Sequence, residues 1–389
     1  MNATRPSTTL PETASTIMTQ VRALRQIGTR VRLQRVARVA LHGLLAGTLI
    51  SPSFAAPTYP AQEWQKVDPA AAGWSMDRLR AAQDYAEKLG TTAVMIVQHG
   101  RVVASWGDVS QRVRVNSVRK SFLSALYGMA IAEGRIDPTA TLETLGIEDK
   151  APGLTPAEKQ ARVRDLLMAR SGVYHEAASE PARMKDRRPE RGSHPPDTYW
   201  YYNNWDFNAL GTIYRQRTGE DIFAAIEKKI ARPLGMQDFT AKDGKYVYAK
   251  ASNHPAYHLD MSARDLARFG WLFLNKGRWG DRQVVPTTWV AESTRAYSDA
   301  SYLKNTGYGY MWWVAKGGKH RGARVGEGAF SARGYGGQFI LVSPADDLVV
   351  VLLHAKHVTN RQEGQLLKRI TAATPQARSI SARVANGGW

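Results

Sequence analysis

Two apolar runs, Ala93-Val-Met-Ile-Val97 and Arg101-Val-Val-Ala-Ser-Trp106, flank His99-Gly100, and the chain then reads Ser117-Val-Arg-Lys-Ser-Phe-Leu-Ser-Ala-Leu-Tyr-Gly-Met-Ala130. Apolar runs around a glycine turn predict a β-hairpin. After the hairpin the period changes. Phe122, Leu123, Leu126, Tyr127 and Ala130 recur at three and four, up to Gly134, which predicts a helix. A hairpin therefore feeds a helix that opens on a serine, with a lysine one turn later.

Upstream, Ser75 is a plausible N-cap for a helix carrying Leu79, Ala82, Tyr85, Ala86 and Leu89, stopped by Gly90. Downstream, the stretch from 117 to about 300 reads as mostly helical, with segments at Ala161–Ala169, Phe207–Arg217, Asp221–Ile230, Ser262–Leu274 and Thr287–Ser293. The charged, Pro-rich Glu180–Pro196 reads as a surface loop. Substrate pockets are expected from loops 175–200 and 240–260. The chain returns to strands at Tyr308–Val314, Gln338–Val342 and Leu348–Leu353, with Pro344–Asp347 as a turn, and closes on a helix near Asn360–Ala372. Neither end alone can cover both faces of a sheet. The economical solution is one α/β body built from both ends, with the helical block of about 117–300 inserted.

The 389 residues suffice for a well-buried core. With no cysteine among them, disulfides, thiolate metal sites and a cysteine nucleophile are excluded. Residues 1–56 hold seven arginines and one acid, so the remaining body carries +13 of the formal +19. Such a body would be drawn to anionic surfaces, a cell-envelope surface among them. The basic residues are scattered, however, and no nucleic-acid motif is present. The Arg-rich start, the apolar run Val39–Ile50 and the small residues of Ser51-Pro-Ser-Phe-Ala-Ala56 have the order of an export signal. This predicts a periplasmic or secreted protein, 57–389, after cleavage near Ala55/Ala56. Met18 is an alternative start.

Three segments carry chemistry. Ser117 and Lys120 share a helix face. A lysine there can take the serine proton if burial or nearby charge keeps it neutral. The same Ser-x-x-Lys spacing recurs at Ser301–Lys304, in a polar loop. Tyr199-Trp-Tyr-Tyr-Asn-Asn204 offers two Tyr-x-Asn registers, Tyr201/Asn203 and Tyr202/Asn204. A tyrosine there can move a proton if neighbouring cations lower its pKa, and an asparagine can hold the lysine. Gly334-Tyr-Gly-Gly-Gln338 leads into a strand, where glycines allow close backbone approach. The Gln338 and Ser117 amides could then hold an oxyanion. A similar Lys316-Gly-Gly318 leads into Lys319-His-Arg321 instead of a strand. His175, His194, His254 and His258 lack metal-ligand spacing and read as loop or packing residues. Asp137, Asp165 and Asp265 read as caps or arginine partners.

In this order, over roughly 60–370, these segments resemble the penicillin-recognising serine hydrolases: class C β-lactamases, D-alanyl-D-alanine carboxypeptidases, related esterases and 6-aminohexanoate-dimer hydrolase. Lys120-Ser-Phe, Asp165–Gly172, Met261–Arg268 and Gly337-Gln-Phe-Ile add to the likeness. The resemblance implies an antiparallel sheet flanked by N- and C-terminal helices, beside an all-helical region, with the site between them. It makes Ser117 the nucleophile and Lys120 its partner. Tyr202 becomes the motif tyrosine, because Asn204 stands the usual distance before Ala209-Leu-Gly211, and Tyr201 is the fallback. Tyr335-Gly336-Gly337 takes the third-motif place. β-Lactamases and carboxypeptidases carry a lysine or histidine first in that motif, and Tyr335 supplies no charge.

The expected activity is therefore hydrolysis of a small ester or amide through an acyl-enzyme. A β-lactamase or carboxypeptidase, and a non-catalytic binder of wall or polyanion, are the alternatives. No cofactor, metal or stable protein partner is expected.

Overall fold

The computed structural model describes residues 58–300 and 302–375. The N-terminal part contributes α1 (Met76–Lys88), β1 (Ala93–Gln98), β2 (Arg101–Gly107) and the short β3 (Val113–Arg114). The middle holds α2 (Arg119–Ala132), α3 (Pro156–Lys159), α4 (Val163–Leu167), α5 (Ala182–Lys185), α6 (Asn204–Thr218), α7 (Ile222–Ile226), α8 (Arg232–Leu234), α9 (Ala263–Leu274) and α10 (Thr287–Ser293). Between these helices lie β4 (Gly244–Ala249), β5 (Ser252–Met261), β6 (Arg278–Trp279) and β7 (Arg282–Gln283). The C-terminal part adds β8 (Ser298–Asp299), β9 (Thr306–Tyr308), β10 (Trp313–Ala315), β11 (Lys319–His320), β12 (Ala323–Arg324), β13 (Phe330–Gly334), β14 (Gln338–Ser343), β15 (Leu348–Leu353) and α11 (Asn360–Ala372).

Eight strands form one sheet in the order β2-β1-β15-β14-β13-β10-β9-β8, every paired neighbour antiparallel. The first hairpin thus pairs with the last strand, Ala93 opposite Leu353 and Gln98 opposite Leu348. Side chains alternate between the faces. Val94, Ile96, Phe339, Leu341, Val350 and Leu352 pack toward α1 and α11. Met95, Val97, Ile340, Val342, Val349 and Val351 join the core shared with the helical block. Both faces are covered, so these strands read as continuous apolar runs. On the helical side, α9 lies close to the sheet: a Cβ on Gly270 would come within 2.6 Å of Val349. Helix α2 is buried from Arg119 to Ala130, on all its faces.

Three local expectations are corrected. The inserted block is not all helical: residues 244–261 form the β4–β5 hairpin, and β3 joins β5 in a separate three-stranded sheet. Tyr246, Val247 and Tyr257 are aromatic or β-branched, which suits a pleated, half-buried surface. Tyr308–Val314 is not one strand but two, β9 and β10, folded back at a turn in which Met311 has φ +62°. Helix α2 holds that turn, with Ser124 Oγ donating to the Tyr310 carbonyl at 2.8 Å and Ser121 Oγ to that of Met311 at 2.9 Å. The helix expected over Ala161–Ala169 is shorter, because Ala169 takes φ +57° and turns the chain away. The segment read as an export signal, with its cleavage site, lies outside the described residues, as does Ser301.

Candidate active site

A short 3-10 turn, Asn116–Val118, precedes α2 and carries Ser117. Val115 fixes the turn from one side, its N–H donating to the Leu259 carbonyl of β5 at 3.0 Å. Asn116 fixes it from the other. It adopts φ +50° and its Nδ2 donates to the Tyr335 carbonyl at 2.7 Å. Asparagine tolerates the left-handed region better than most residues. Gly334, at the end of β13, abuts the same turn: a Cβ there would come within 2.2 Å of the Val115 carbonyl oxygen. Ser117 is thus held between β5 and the end of β13, at the N-terminal end of a buried helix.

Lys120, one turn on, is 1% exposed. Its Nζ lies 2.7 Å from Ser117 Oγ, 2.9 Å from Tyr202 OH and 3.0 Å from Asn204 Oδ1. The rings of Tyr202 and Phe207 stand 4.7 Å from Nζ. Among the described residues no carboxylate lies within ion-pair reach of Nζ. Burial, and then the charge of Arg119, hold the Lys120 pKa well below the usual lysine value. A neutral amine suits this partner set, donating to Asn204 and Tyr202 and accepting from the Ser117 hydroxyl.

Tyr202 lies on α2's flank, just before α6, in an aromatic cluster with Phe207, Tyr308 and Trp313. Its pKa moves opposite to the sequence expectation. Burial raises it, outweighing the hydrogen bond with Ser117 and the pull of Arg119 and Arg333. Tyr202 therefore stands as a neutral phenol and not as a phenolate. The register is resolved by geometry. Tyr201 points away, its OH donating to the Met184 carbonyl at 2.7 Å, and Asn203 caps α6 through the Asp206 N–H at 2.8 Å. Asn204 reaches Lys120 and is itself oriented by Nδ2, which donates to the Ser179 carbonyl at 2.6 Å.

A cavity of about 740 Å³ opens over Ser117, lined also by Tyr202, Asn204, Gly334 and Tyr335. Of the third segment, Tyr335 stands at the rim, 69% exposed. Gly336, Gly337 and Gln338 are set back from the lining. The two glycines, at φ +87° and +97°, make the turn between β13 and β14. The Gln338 side chain is bound to the backbone of His354, donating to its carbonyl at 2.7 Å and accepting from its N–H at 3.1 Å. Gln338, whose backbone N–H was expected as an oxyanion donor, does not line the cavity, whereas Gly334 and Tyr335 at the end of β13 do. Lys316-Gly-Gly318 lies elsewhere, between β10 and β11.

Sequence reasoning gave His258 and Arg333, among others, no place in the cavity. His258, on β5, lines the cavity with Nε2 2.9 Å from Ser179 Oγ. Burial, then the charges of Arg119 and Arg114, push its pKa down to about 3, so it is neutral. Arg333 also lines the cavity, held by Ser331 and His320. The alternation of β13 could have exposed Arg333, had that strand been recognised. His254 is buried with Nδ1 3.0 Å from Thr212 Oγ1, and His194 stacks on Tyr199 at 4.1 Å. His175 lies 3.7 Å from Glu158. Asp137 caps the turn at Thr139, Asp165 pairs with Arg162, and Asp265 accepts the N–H groups of residues 237–239. Among the described residues, no group of three histidines or carboxylates could hold a metal ion.

The family model described as Beta-lactamase matches residues 77–374. A 6-aminohexanoate-dimer hydrolase of Paenarthrobacter ureafaciens is 26% identical over 351 residues, covering 80% of this chain and 84% of that protein. Among solved structures, an octameric penicillin-binding protein homologue from Pyrococcus abyssi superposes with a TM-score of 0.58 at 17% identity, over 77% of this chain and 78% of that one. EstCE1, a hydrolase with promiscuous acyltransferase activity, gives 0.56 at 16% identity, over 75% and 98%. At these identities the structural likenesses speak for the fold.

Proposed function

Since the chain belongs to the Beta-lactamase family and is a hydrolase of the serine type, we propose that it cleaves a small ester or amide through an acyl group on Ser117. The observation that carries this reading is Lys120 Nζ, 2.7 Å from Ser117 Oγ, buried and, among the described residues, without a carboxylate partner. Lys120 takes the hydroxyl proton as Ser117 Oγ attacks the substrate carbonyl carbon. The proton passes through Lys120 and the Tyr202 phenol to the leaving oxygen or nitrogen as the acyl bond breaks. Water then attacks the acyl-enzyme, giving up its proton along the same path, and the acid leaves. Asn204 keeps Nζ aimed at Oγ. The Ser117 N–H, with the Tyr335 N–H at the end of β13 in place of that of Gln338, would hold the oxyanion; the packing of Gly334 against Val115 supports this choice.

Replacing Ser117 with alanine should abolish turnover of a panel of p-nitrophenyl esters and anilides, and turnover matching wild type would sink the reading. Export is part of the proposal, supported by the order of residues 1–56 alone. Mass determination of the secreted protein's N-terminus near residue 57 tests it.

A further inference from the structure

A second cavity, of about 550 Å³, lies on the sheet face covered by α1 and α11 and shares no lining residue with the cavity over Ser117. Its charged lining is Arg78 of α1, Lys319 and Arg324 of the β11–β12 ribbon, Lys368 of α11 and a single acid, Asp346. The Asp346 carboxylate is engaged by its own neighbourhood. Its Oδ2 accepts the Gly326 N–H at 2.7 Å and the Ser343 hydroxyl at 2.6 Å. Among the described residues, none of the four cations has a carboxylate oxygen within 4.0 Å. Arg78 is fixed beside the end of α11, its Nη1 donating to the Ala372 carbonyl at 2.8 Å.

The ribbon shows an unusual pairing. Lys319 and Arg324 are direct cross-strand partners. Like charges directly opposite each other destabilise a strand pair. β11 and β12 form a separate two-stranded sheet, an arrangement with little stability of its own. Repulsion thus falls where pairing is weakest. All four cationic side chains are exposed, so water solvates each one singly. Around a concave, low-dielectric wall their fields add, and an anion bound between them relieves the repulsion across the ribbon. Several converging cations favour a multiply charged anion, and the arginine fork matches the oxygens of a phosphate. The cavity is edged by Gly317 and Gly322, where no apolar side chain is offered to a bilayer.

We propose that this cavity binds a soluble, multiply charged phosphorylated molecule, held by Lys319 and Arg324 with Arg78 and Lys368. The site lies apart from the hydrolytic centre and goes beyond the activity proposed above.

Inorganic pyrophosphate is the probe, titrated by calorimetry into the full-length protein at low ionic strength. One site per chain is expected, weakening as salt is raised. Lys319→Gln combined with Arg324→Gln should raise Kd about ten- to a hundredfold, the range for lost charge-assisted contacts. Arg187→Gln, in the other cavity, should leave Kd unchanged. Arg324→Gln should also raise the melting temperature of the ligand-free protein by about 1 °C, because the repulsion across the ribbon is gone. No saturable binding, or equal Kd in the double variant and wild type, would overturn the proposal. So would binding to phosphatidylglycerol vesicles with none to pyrophosphate, which would make the cluster a lipid contact. An Arg324→Gln protein that melts below wild type would show the cation to be structural and would also overturn it. If the double variant fails to fold, Lys368→Gln gives the same comparison from α11. Calorimetry needs no turnover, so failure here leaves the hydrolase reading standing.

Discussion

Replacing Lys120 with methionine removes the amine and keeps the length of the side chain. Three contacts disappear together, to Ser117 Oγ, Tyr202 OH and Asn204 Oδ1. Loss of a positioned base costs roughly 10²- to 10⁴-fold in turnover. The effect on stability has a sign that depends on pH. Lys120 has a depressed pKa in the folded protein. Between that value and the ordinary one near 10.4, the unfolded chain binds a proton that the folded site does not. Stability therefore rises with pH across this window, by at most about 1.4 kcal/mol per pH unit. Between pH 7.5 and 9.0 the wild type should therefore gain stability that the methionine variant does not. The variant leaves Asn204 Oδ1 without its donor, a cost of about 1–3 kcal/mol that does not vary with pH. Urea denaturation of both proteins at the two pH values, with ester turnover measured in parallel, makes the comparison. Parallel stability curves, or a variant within tenfold of wild-type activity, would refute a neutral, buried Lys120 acting as base.

Tyr202→Phe should lower kcat about 10²-fold or more, whereas Tyr201→Phe, whose hydroxyl binds Met184 outside the proton path, should stay within a few fold; steady-state kinetics on one ester separates them. Asn116→Ala should cost about 1–2 kcal/mol and lower kcat, because it loses the bond to Tyr335 and retains φ +50°, and Asn116→Gly should lose less stability; thermal melts with kinetics read both effects. Asp206 is buried with its carboxyl pushed up to about 8, chiefly by desolvation. The folded state then binds the extra proton between about pH 4 and 8, so stability falls as pH rises through that window, and Asp206→Asn should flatten this part of the melting profile.

The large sheet was legible because strands β1, β14 and β15 are covered on both faces and hence apolar throughout. Helices α1, α9 and α11 were legible from their spacing and caps. Within the site, Ser117, Lys120, Tyr202 and Asn204, which the structure brings together, were readable because each belongs to a short local pattern. What stayed hidden depends on distant partners. The turn at 309–312 exists because α2 supplies Ser121 and Ser124 to its carbonyls. The β4–β5 hairpin was read as loop because its alternation is weak in an otherwise helical stretch. Gln338 was read as an oxyanion donor although the strand end that lines the cavity is Gly334–Tyr335, and Arg333 became a cavity residue only once β13 was placed beside Ser117. The direction of the Tyr202 pKa was likewise unreadable, because the sequence names the nearby cations but not the depth of burial that outweighs them.

The most direct test of the central claim is intact-protein mass spectrometry after fluorophosphonate treatment, with peptide mapping of the adduct. One phosphonyl group per chain, mapped to Ser117 and lost in Ser117→Ala, is the predicted result. An adduct on another residue, or full labelling of the alanine variant, would contradict it.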